Sequence, residues 1–433
     1  MHRSTLVLAV TALVLASTCA LAQSPPLTLA EAQRRAVERS RQLGAQDASI
    51  AASRELAVAA GELPDPVLKL ELQNVPVDGP DRFSLASDPQ TMRSVGVMQE
   101  WTRREKRDLR RERFERTADK TQAERDASIA AIQRSTALAW LDLYYAQAMA
   151  TSLAEQLAAS QLEITAAESA YRAGRASQAD VIATYSARTG LEDRLSEFSR
   201  RIRNARTALA RWVGSAADAP LASRPPIDRT HLQSDGTLES HIARHPDLEV
   251  LRRQEEIART EARLADANRS ADWSFEVTYG NRASQFGDMA TIAVSVPLQL
   301  FRKDRQDREL AAKLAGVEQA RAEREEMERA HVAEVSAMQT EWESGLDRLE
   351  RYRTQLLPLA NERTQSALAA YQGGKASAGD LLMARRNEIE TRLQALQLEL
   401  ETARLWAQLE YLIPDPRVVP VSMFTPSTAR TAP

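Results

Sequence analysis

Apolar and polar residues alternate in four short segments of the chain, most strictly in the first. In Val67–Gln73 three leucines face one way, and the charged or amide residues between them face the other. Met92–Trp101 alternates similarly, as do Trp273–Tyr279 and Thr291–Leu298 in the second half. A period of two is typical of a β-strand with one apolar face and one polar, solvent-exposed face. The sequence therefore predicts two pairs of strands, the first pair joined by a polar loop as a hairpin.

Helix-like stretches surround each strand pair. One helix is predicted before each pair, a very long one after it, and a return helix beyond a turn. The last return helix has two apolar seams, which is typical of a helix packed on both sides. The predicted helices are Leu29–Leu63, Leu238–Asn268, about Arg104–Arg172, about Arg302–Gln372, Ser177–Val213 and Ser377–Leu412. Each half thus reads helix, strand, strand, helix, turn, helix.

The turns between long and return helices reveal an internal duplication. Tyr171–Ile182 and Tyr371–Leu382, 200 positions apart, share a Tyr, a Gly, a cation, Ala-Ser and an Asp before two aliphatic residues. In each copy the glycine can close one helix and the serine can cap the next. The residues are Gly174, Ser177 and Asp180 in the first copy, and Gly374, Ser377 and Asp380 in the second. Each copy is predicted to be the tip of a long helical hairpin in a repeat architecture.

Composition and charge fit a helical protein. The 433 residues include only 15 glycines and 5% aromatic residues, as in long helices or coiled coils. With 57 basic and 60 acidic residues, the chain has no strong electrostatic attraction for nucleic acid. The arginines of Arg103–Arg113 alternate with acidic residues and indicate a solvated helix face.

The N-terminus has the pattern of a secretory signal. Met1–Ala22 contains a basic start, an apolar core and a small-x-small ending at Ala20-Leu-Ala22. Cys19, the sole cysteine, stands in a poor lipoprotein box, so acylation of Cys19 and cleavage after Ala22 both stay open. A mature chain from Gln23 has no cysteine for a disulfide or a thiolate metal site.

These patterns divide the chain into five parts. Residues 1–22 form the signal peptide, and residues 23–213 the first repeat. Residues 214–236, with three prolines, form a linker. Residues 237–413 form the second repeat, and residues 414–433 a flexible tail rich in Pro, Ser and Thr.

Any membrane crossing must be made by the strands. After the leader no apolar run approaches the ~20 residues of a membrane helix. Strands of about ten residues are long enough to cross a bilayer when tilted, but four cannot close a barrel. Three copies would supply twelve strands. The predicted fold class is therefore mixed and mainly α, with helical hairpins in a trimeric α-barrel and a shared twelve-stranded transmembrane β-barrel.

Catalytic or metal chemistry has little support in the sequence. His241 and His245 are spaced i, i+4, but two ligands fall short of the three or four that zinc requires. No serine stands in a nucleophile elbow. The sequence predicts neither an enzyme, nor a cofactor, nor a metal site.

Several of these motifs resemble the TolC-type outer-membrane efflux channels. They are the doubled plan, the two Tyr-x-x-Gly-x-x-Ser-x-x-Asp tips, and Ser94–Trp101 followed by Lys106-Arg107. The resemblance extends from Leu27 to about Ile413. Leu63-Pro-Asp-Pro-Val67 and Gln99-Glu100 before a basic run are closer to the heavy-metal branch of that family than to its drug-exporting branch.

The resemblance implies a homotrimeric duct in the bacterial outer membrane, with a helical tube in the periplasm. It also implies two protein partners, a periplasmic adaptor and an inner-membrane proton-driven pump. By position, Gly174, Ser177, Gly374 and Ser377 are candidate adaptor contacts at the tips.

Asp380, with Asp180 in the other copy, is the candidate gate residue, where three copies would form an acidic ring. A second acid found in some relatives is replaced here by Met383. Both aspartates also stand where a carboxylate caps a helix start, so capping and gating stay open as roles.

Three other functions remain as alternatives. A drug-exporting channel would share the fold. A periplasmic adaptor would have one hairpin between soluble β-domains, against which the doubled plan argues. A secreted coiled-coil scaffold would leave Trp273, Phe275 and Tyr279 as an exposed aromatic row, for which a lipid-facing or interfacial position is a better explanation.

Overall fold

The computed structural model describes residues 25–85, 87–230, 242, 244–282 and 286–415. The predicted signal peptide with Cys19, the histidine His241, the linker residues 231–236 and the tail beyond 415 lie outside the described residues.

The described chain is mostly helical and contains one sheet. No described helix combines the length and the apolar character needed to cross a membrane. The helices are α1 (Leu29–Arg39), α2 (Arg41–Gly61), α3 (Arg104–Arg172), α4 (Gln178–Val213), α5 (Pro246–Ala267), α6 (Gln306–Arg351), α7 (Leu357–Gln372) and α8 (Ala378–Glu410). The strands are β1 (Val67–Gln73), β2 (Met92–Trp101), β3 (Trp273–Asn281) and β4 (Met289–Ser295).

The four strands form a single antiparallel sheet in the order β1-β2-β3-β4. The two hairpins are joined through β2 and β3, from Arg93 opposite Asn281 to Trp101 opposite Trp273. The predicted strand pairs are thus confirmed, and the two halves of the chain meet in one sheet.

Residues of both repeats mix in each of two compact units. One unit contains the described residues of Met1–Ser40, Ile129–Gly236 and Val335–Pro433, and the other those of Arg41–Ser128 and Thr237–Glu334. The first unit holds α4, α7 and α8, and the second holds α2, α5 and the sheet.

Paired tryptophans anchor the core of the first unit. The buried indole of Trp140 donates to the Leu27 carbonyl at 3.1 Å, and the buried indole of Trp342 donates to the Ile227 carbonyl at 3.0 Å. The acceptors are 200 positions apart and the donors 202, so the duplication is preserved as a tertiary contact. The two carbonyls replace the water that each indole N–H loses on burial, as is usual for buried Trp. Further along the helices, Met149, Leu153, Phe198 and Ile389 form a buried cluster.

Several predicted boundaries were wrong for local reasons. The helix predicted over Leu29–Leu63 is two helices, because Ser40 adopts an extended backbone (φ −67°, ψ 113°) and ends α1. The strand predicted over Thr291–Leu298 is Met289–Ser295; beyond it stands Pro297, which has no N–H for a sheet hydrogen bond.

The second long helix also differs from its prediction. It begins at Gln306 rather than about Arg302, and a π-helical turn, Tyr352–Leu356, interrupts it before α7. Pro358 follows that turn, and it cannot donate a hydrogen bond to the preceding turn of helix. In the second half, residues 238–241 and 243 of the helix predicted over Leu238–Asn268 lie outside the described residues, and α5 is described from Pro246.

Candidate functional site

The two hairpin tips have the same backbone structure. After α3 the amide of Arg175 donates to the Ala170 carbonyl and that of Gly174 to the Tyr171 carbonyl, both at 2.9 Å. This pair of bonds is a Schellman closure, and it places Gly174 at φ +69°.

The second tip repeats the closure after α7. Lys375 donates to the Ala370 carbonyl at 2.8 Å and Gly374 to the Tyr371 carbonyl at 3.0 Å, with Gly374 at φ +71°. The predicted closure of both long helices by glycine is confirmed.

Each tip continues into a capping box that starts the return helix. The Ser177 hydroxyl accepts from the Asp180 amide at 3.2 Å, while an Asp180 carboxylate oxygen accepts from the Ser177 amide at 2.9 Å. Ser377 and Asp380 make the same two bonds at 3.1 and 3.0 Å. Both aspartates therefore cap helix starts, as one of the two predicted roles required.

These bonds also fix the charge of the two aspartates. The Ser177 backbone and side-chain hydrogen bonds lower the pKa of Asp180. The Ser377 hydroxyl and amide bonds lower the pKa of Asp380. Hydrogen bonds to a carboxylate favour its ionised form. Both aspartates are accordingly ionised at neutral pH, so capping does not remove the carboxylate charge that a gate would need.

An ion-pair network joins the two repeats below the tips. Arg385 on α8 binds Glu163 on α3 at 3.0 Å and also Glu388 at 3.2 Å. Glu388 is 2% exposed and takes a second cation, Arg392, at 2.8 Å. Beside this network lies a groove of about 490 Å³ that Met383 and Arg386 also line. The network fixes α8, which carries Asp380, against α3.

One face of the sheet is apolar and exposed to solvent in the single chain. Leu70 is 75% exposed and Ile292 is 77% exposed. The further exposed aliphatic, Phe and Tyr residues on this face are Leu68, Leu72, Val95, Val97, Phe275, Val277, Tyr279 and Val294. At one end of the sheet the exposed Trp101 and Trp273 stand opposite each other on neighbouring strands. An exposed apolar surface of this extent requires a covering partner or lipid.

The opposite face of the sheet is polar and more enclosed. Lys69 on β1 forms an ion pair with Glu276 on β3 at 2.5 Å across β2. Gly96 lies between them, opposite Lys69 and Thr278. A Cβ atom at Gly96 would lie 2.5 Å from the Thr278 hydroxyl oxygen, so any other residue at this position would displace the Thr278 side chain. The predicted alternation of an apolar and a wet face is confirmed.

A buried ion pair fastens the start of α3 to the start of β3. Lys106 is 4% exposed, and its ammonium donates to Asp272 at 2.7 Å and to the Ser270 carbonyl at 2.6 Å. The other Asp272 oxygen accepts from the Arg103 amide at 3.0 Å. Lys106 belongs to the motif that follows the second strand, but the sequence does not indicate its partner 166 positions away.

Two histidines meet in a place that sequence spacing did not indicate. The rings of His245 and His331 have centroids 4.4 Å apart with planes inclined by 34°. Asp247 lies beside them, and donor atoms of the three side chains lie within 4.8 Å of one another. This is the group of described residues with the donor atoms to hold a metal ion.

Comparisons with known proteins agree with this architecture. Residues 237–413 match the model of the family described as outer membrane efflux protein. The solved structure of the outer membrane protein VceC from Vibrio cholerae is 18% identical, with a TM-score of 0.71 over 89% of this chain and 95% of VceC. No curated protein sequence matches the chain.

Two further solved structures are similar over most of their length. The outer-membrane channel OprN is 16% identical, with a TM-score of 0.75 over 89% of both chains. CusC, whose structures concern transmembrane channel formation, is 15% identical, with a TM-score of 0.73 over 88% of this chain and 91% of CusC. The described chain therefore has the fold of outer-membrane channel proteins, and its residues 237–413 match the outer membrane efflux protein family.

Proposed function

We propose that the protein is the outer-membrane channel of a tripartite efflux system, a passive gated duct with no catalytic turnover. The observation that carries the proposal is the exposed apolar face of the sheet, in a fold shared with outer-membrane channels. Lipid is the partner that covers such a face along whole strands. The paired Trp101 and Trp273 at its end match the aromatic belts found where membrane strands reach the interface.

The edges of the sheet support a homotrimer. Within the described part of one chain, β1 and β4 each pair on one side, so backbone groups at both edges need partners. Open edges do not persist in lipid. Three copies would join β1 of one chain to β4 of the next and close twelve strands. The seven-residue β1 and β4 are shorter than the ~9–11 residues of a typical membrane strand, and pairing between copies would extend them.

The tips would form the periplasmic entrance. Gly174, Ser177, Gly374 and Ser377 shape two equivalent turns that would offer a periplasmic adaptor a repeated surface. The adaptor would connect the duct to a proton-driven pump in the inner membrane.

The gate would be a ring of Asp380 carboxylates, one from each copy, with Asp180 as its counterpart in the first repeat. Because Ser377 lowers the pKa of Asp380, the ring would stay charged and favour cations. That preference, together with the resemblance to the heavy-metal branch, makes metal cations the proposed cargo. Organic compounds are the alternative cargo.

The oligomeric mass of protein extracted in mild detergent from a separated outer-membrane fraction tests the duct. A membrane-bound trimer is expected. A soluble monomer or dimer in the periplasm would refute the proposal that the protein is a channel, and it would favour an adaptor or a scaffold.

Single-channel recording of Asp380→Asn tests the gate. The amide oxygen of Asn can still accept the Ser377 amide, so the helix cap is kept while the charge is removed. We expect lower cation preference and weaker block by multivalent cations. The matched control is Asp193→Asn, an exposed acid on α4 outside the tip, which should leave selectivity unchanged. Equal selectivity in all three proteins would restrict Asp380 to capping.

A further inference from the structure

We propose that His245, Asp247 and His331 form a binding site for a divalent transition-metal ion of the zinc class. The inference rests on the side chains of the second compact unit and holds whether or not the protein is a channel. It also departs from the expectation, drawn from sequence spacing, that the chain has no metal site.

The three side chains come from two rigid elements. His245 is the N-cap of α5, its amide donating to the Ile242 carbonyl at 2.8 Å, and Pro246 follows it as the first helical residue. Asp247 is in the first turn of α5. His331 is in the middle of the 46-residue helix α6. Both backbones are thus fixed by helical hydrogen bonds, and a metal ion would need only side-chain rotation to gather its ligands.

The distances are close to those of a metal site. Zinc bonds of ~2.0–2.1 Å in a tetrahedral site place ligand atoms about 3.3 Å apart. The His245 Nδ1 and an Asp247 carboxylate oxygen are already 3.8 Å apart. All three donor atoms lie within 4.8 Å of one another, so closure requires shifts of about 1.5 Å or less.

The donor types select the class of ion. Two imidazoles with one carboxylate suit zinc, nickel or copper, whereas calcium and magnesium take oxygen ligands. Glu334 has a carboxylate oxygen 3.6 Å from the His331 Nδ1, and a small rotation of its side chain would let it accept a hydrogen bond from that ring, a role that carboxylates commonly have beside metal-binding histidines. The fourth position would be filled by water or exchangeable ligand.

Helix capping is the competing explanation for one of the histidines. The His245 Nδ1 accepts from the Asp247 amide at 3.2 Å, which satisfies a helix-start donor. Capping does not account for a second imidazole packed at 4.4 Å or for the convergent carboxylate. An ion bound at Nδ1 would take the place of that hydrogen bond and tie the start of α5 to α6.

Metal titration of the full mature protein, purified with a tag that contains no histidine, tests the site. Zinc is titrated against a chromophoric chelator, and cobalt(II) is added separately because its visible bands report tetrahedral coordination. We expect one zinc ion per chain, tetrahedral cobalt bands, and release of the ion on acidification because protons compete for imidazole.

Variants assign the ligands. His331→Gln and His245→Asn should each lower zinc affinity at least about tenfold, and Asn at 245 keeps a helix-capping oxygen. His241→Gln is the matched control and should bind zinc as the parent does. Loss of binding in His241→Gln with normal binding in His331→Gln would overturn the site.

Zinc-edge X-ray absorption of the parent protein makes the test independent of variant folding. Scattering from two imidazoles at ~2.0 Å is expected. Failure of the parent to bind one equivalent of zinc, or a bound ion without imidazole scattering, would overturn the proposal.

Discussion

Replacing Lys106 by Met should loosen the junction between α3 and β3. The methionine fills a similar volume, but it removes the ammonium that binds Asp272 at 2.7 Å and the Ser270 carbonyl at 2.6 Å. Asp272 keeps one hydrogen bond, from the Arg103 amide at 3.0 Å. The carboxylate is then left largely enclosed, with its side chain 19% exposed, and without the ammonium that binds it directly; Arg110 is a positive charge that still acts on it.

The expected cost follows from that burial. Removing one partner of a buried ion pair costs about 3–5 kcal/mol, because the other charge stays desolvated. The residual exposure of Asp272 and its remaining hydrogen bond place the cost near the lower limit, at about 3 kcal/mol. Since 1.4 kcal/mol is a factor of ten, this predicts about a 150-fold rise in local opening.

A second lysine supplies the matched control. Lys313 binds Glu261 at the same 2.7 Å, but the two side chains are 44% and 31% exposed. Solvent screens such a pair, so Lys313→Met should cost less than about 1 kcal/mol. Hydrogen–deuterium exchange of the amides in residues 100–112 and 268–276 measures opening in both variants. Equal exchange in the Lys106→Met and Lys313→Met proteins would refute the assignment of a buried ion pair at this junction.

The same pair should respond to acid. Burial acts to raise the pKa of Asp272, but hydrogen bonds from Lys106 and from the Arg103 amide outweigh it and hold that pKa below its ordinary value of 3.8. A carboxyl group whose pKa is lowered by folding stabilises the folded state above the unfolded pKa and loses that contribution as pH falls through the folded value. The exchange difference between the parent and Lys106→Met should therefore be constant near neutrality and shrink in acid, as Asp272 takes up a proton first in the variant and then in the parent.

Two further substitutions test the tips and the core. In Gly374→Ala the new methyl group meets no neighbouring atom, but alanine is forced to φ +71°, so the free energy of unfolding should fall by about 1–2 kcal/mol. Gly44 also has no neighbouring atom but lies inside a helix, so Gly44→Ala should raise the free energy of unfolding by about 0.5–1 kcal/mol. Thermal unfolding in detergent compares the two, and a gain at both positions would contradict the tip geometry. Trp342→Phe leaves the Ile227 carbonyl without its indole donor and should cost about 1–3 kcal/mol. Trp140→Phe should cost the same, and an unchanged unfolding midpoint in either variant would contradict the contact.

Local sequence patterns were sufficient where a structure is decided locally. The strands Val67–Gln73 and Met92–Trp101 and the helix Arg104–Arg172 have the predicted bounds, because alternation and helical periodicity persist without interruption across each. The tip closures follow from glycine and serine chemistry within five residues of each other. The capping role of Asp180 and Asp380 could be predicted for the same reason, because each caps a serine only three positions away.

Boundaries decided by tertiary contacts could not be predicted. Neither Gly nor Pro occupies Ser40, where α1 ends. The buried side chain of Gln33 on α1 donates a hydrogen bond to the Gln133 carbonyl, which lies 100 positions away in the sequence. The partners of Lys106 and of His245 lie 166 and 86 positions away. A single sequence gives the chemistry of such residues but not the positions at which the fold brings them together.

The two tips also have a consequence for recognition. Their backbones make equivalent hydrogen bonds, but their side chains differ. Ala183 in the first tip corresponds to Met383 in the second, and Arg175 corresponds to Lys375. In a trimer, six geometrically alike turns would display two chemistries in alternation. A partner protein present in six copies would thus meet two quasi-equivalent surfaces, and duplication within one gene allows each surface to evolve affinity separately while the ring geometry is kept.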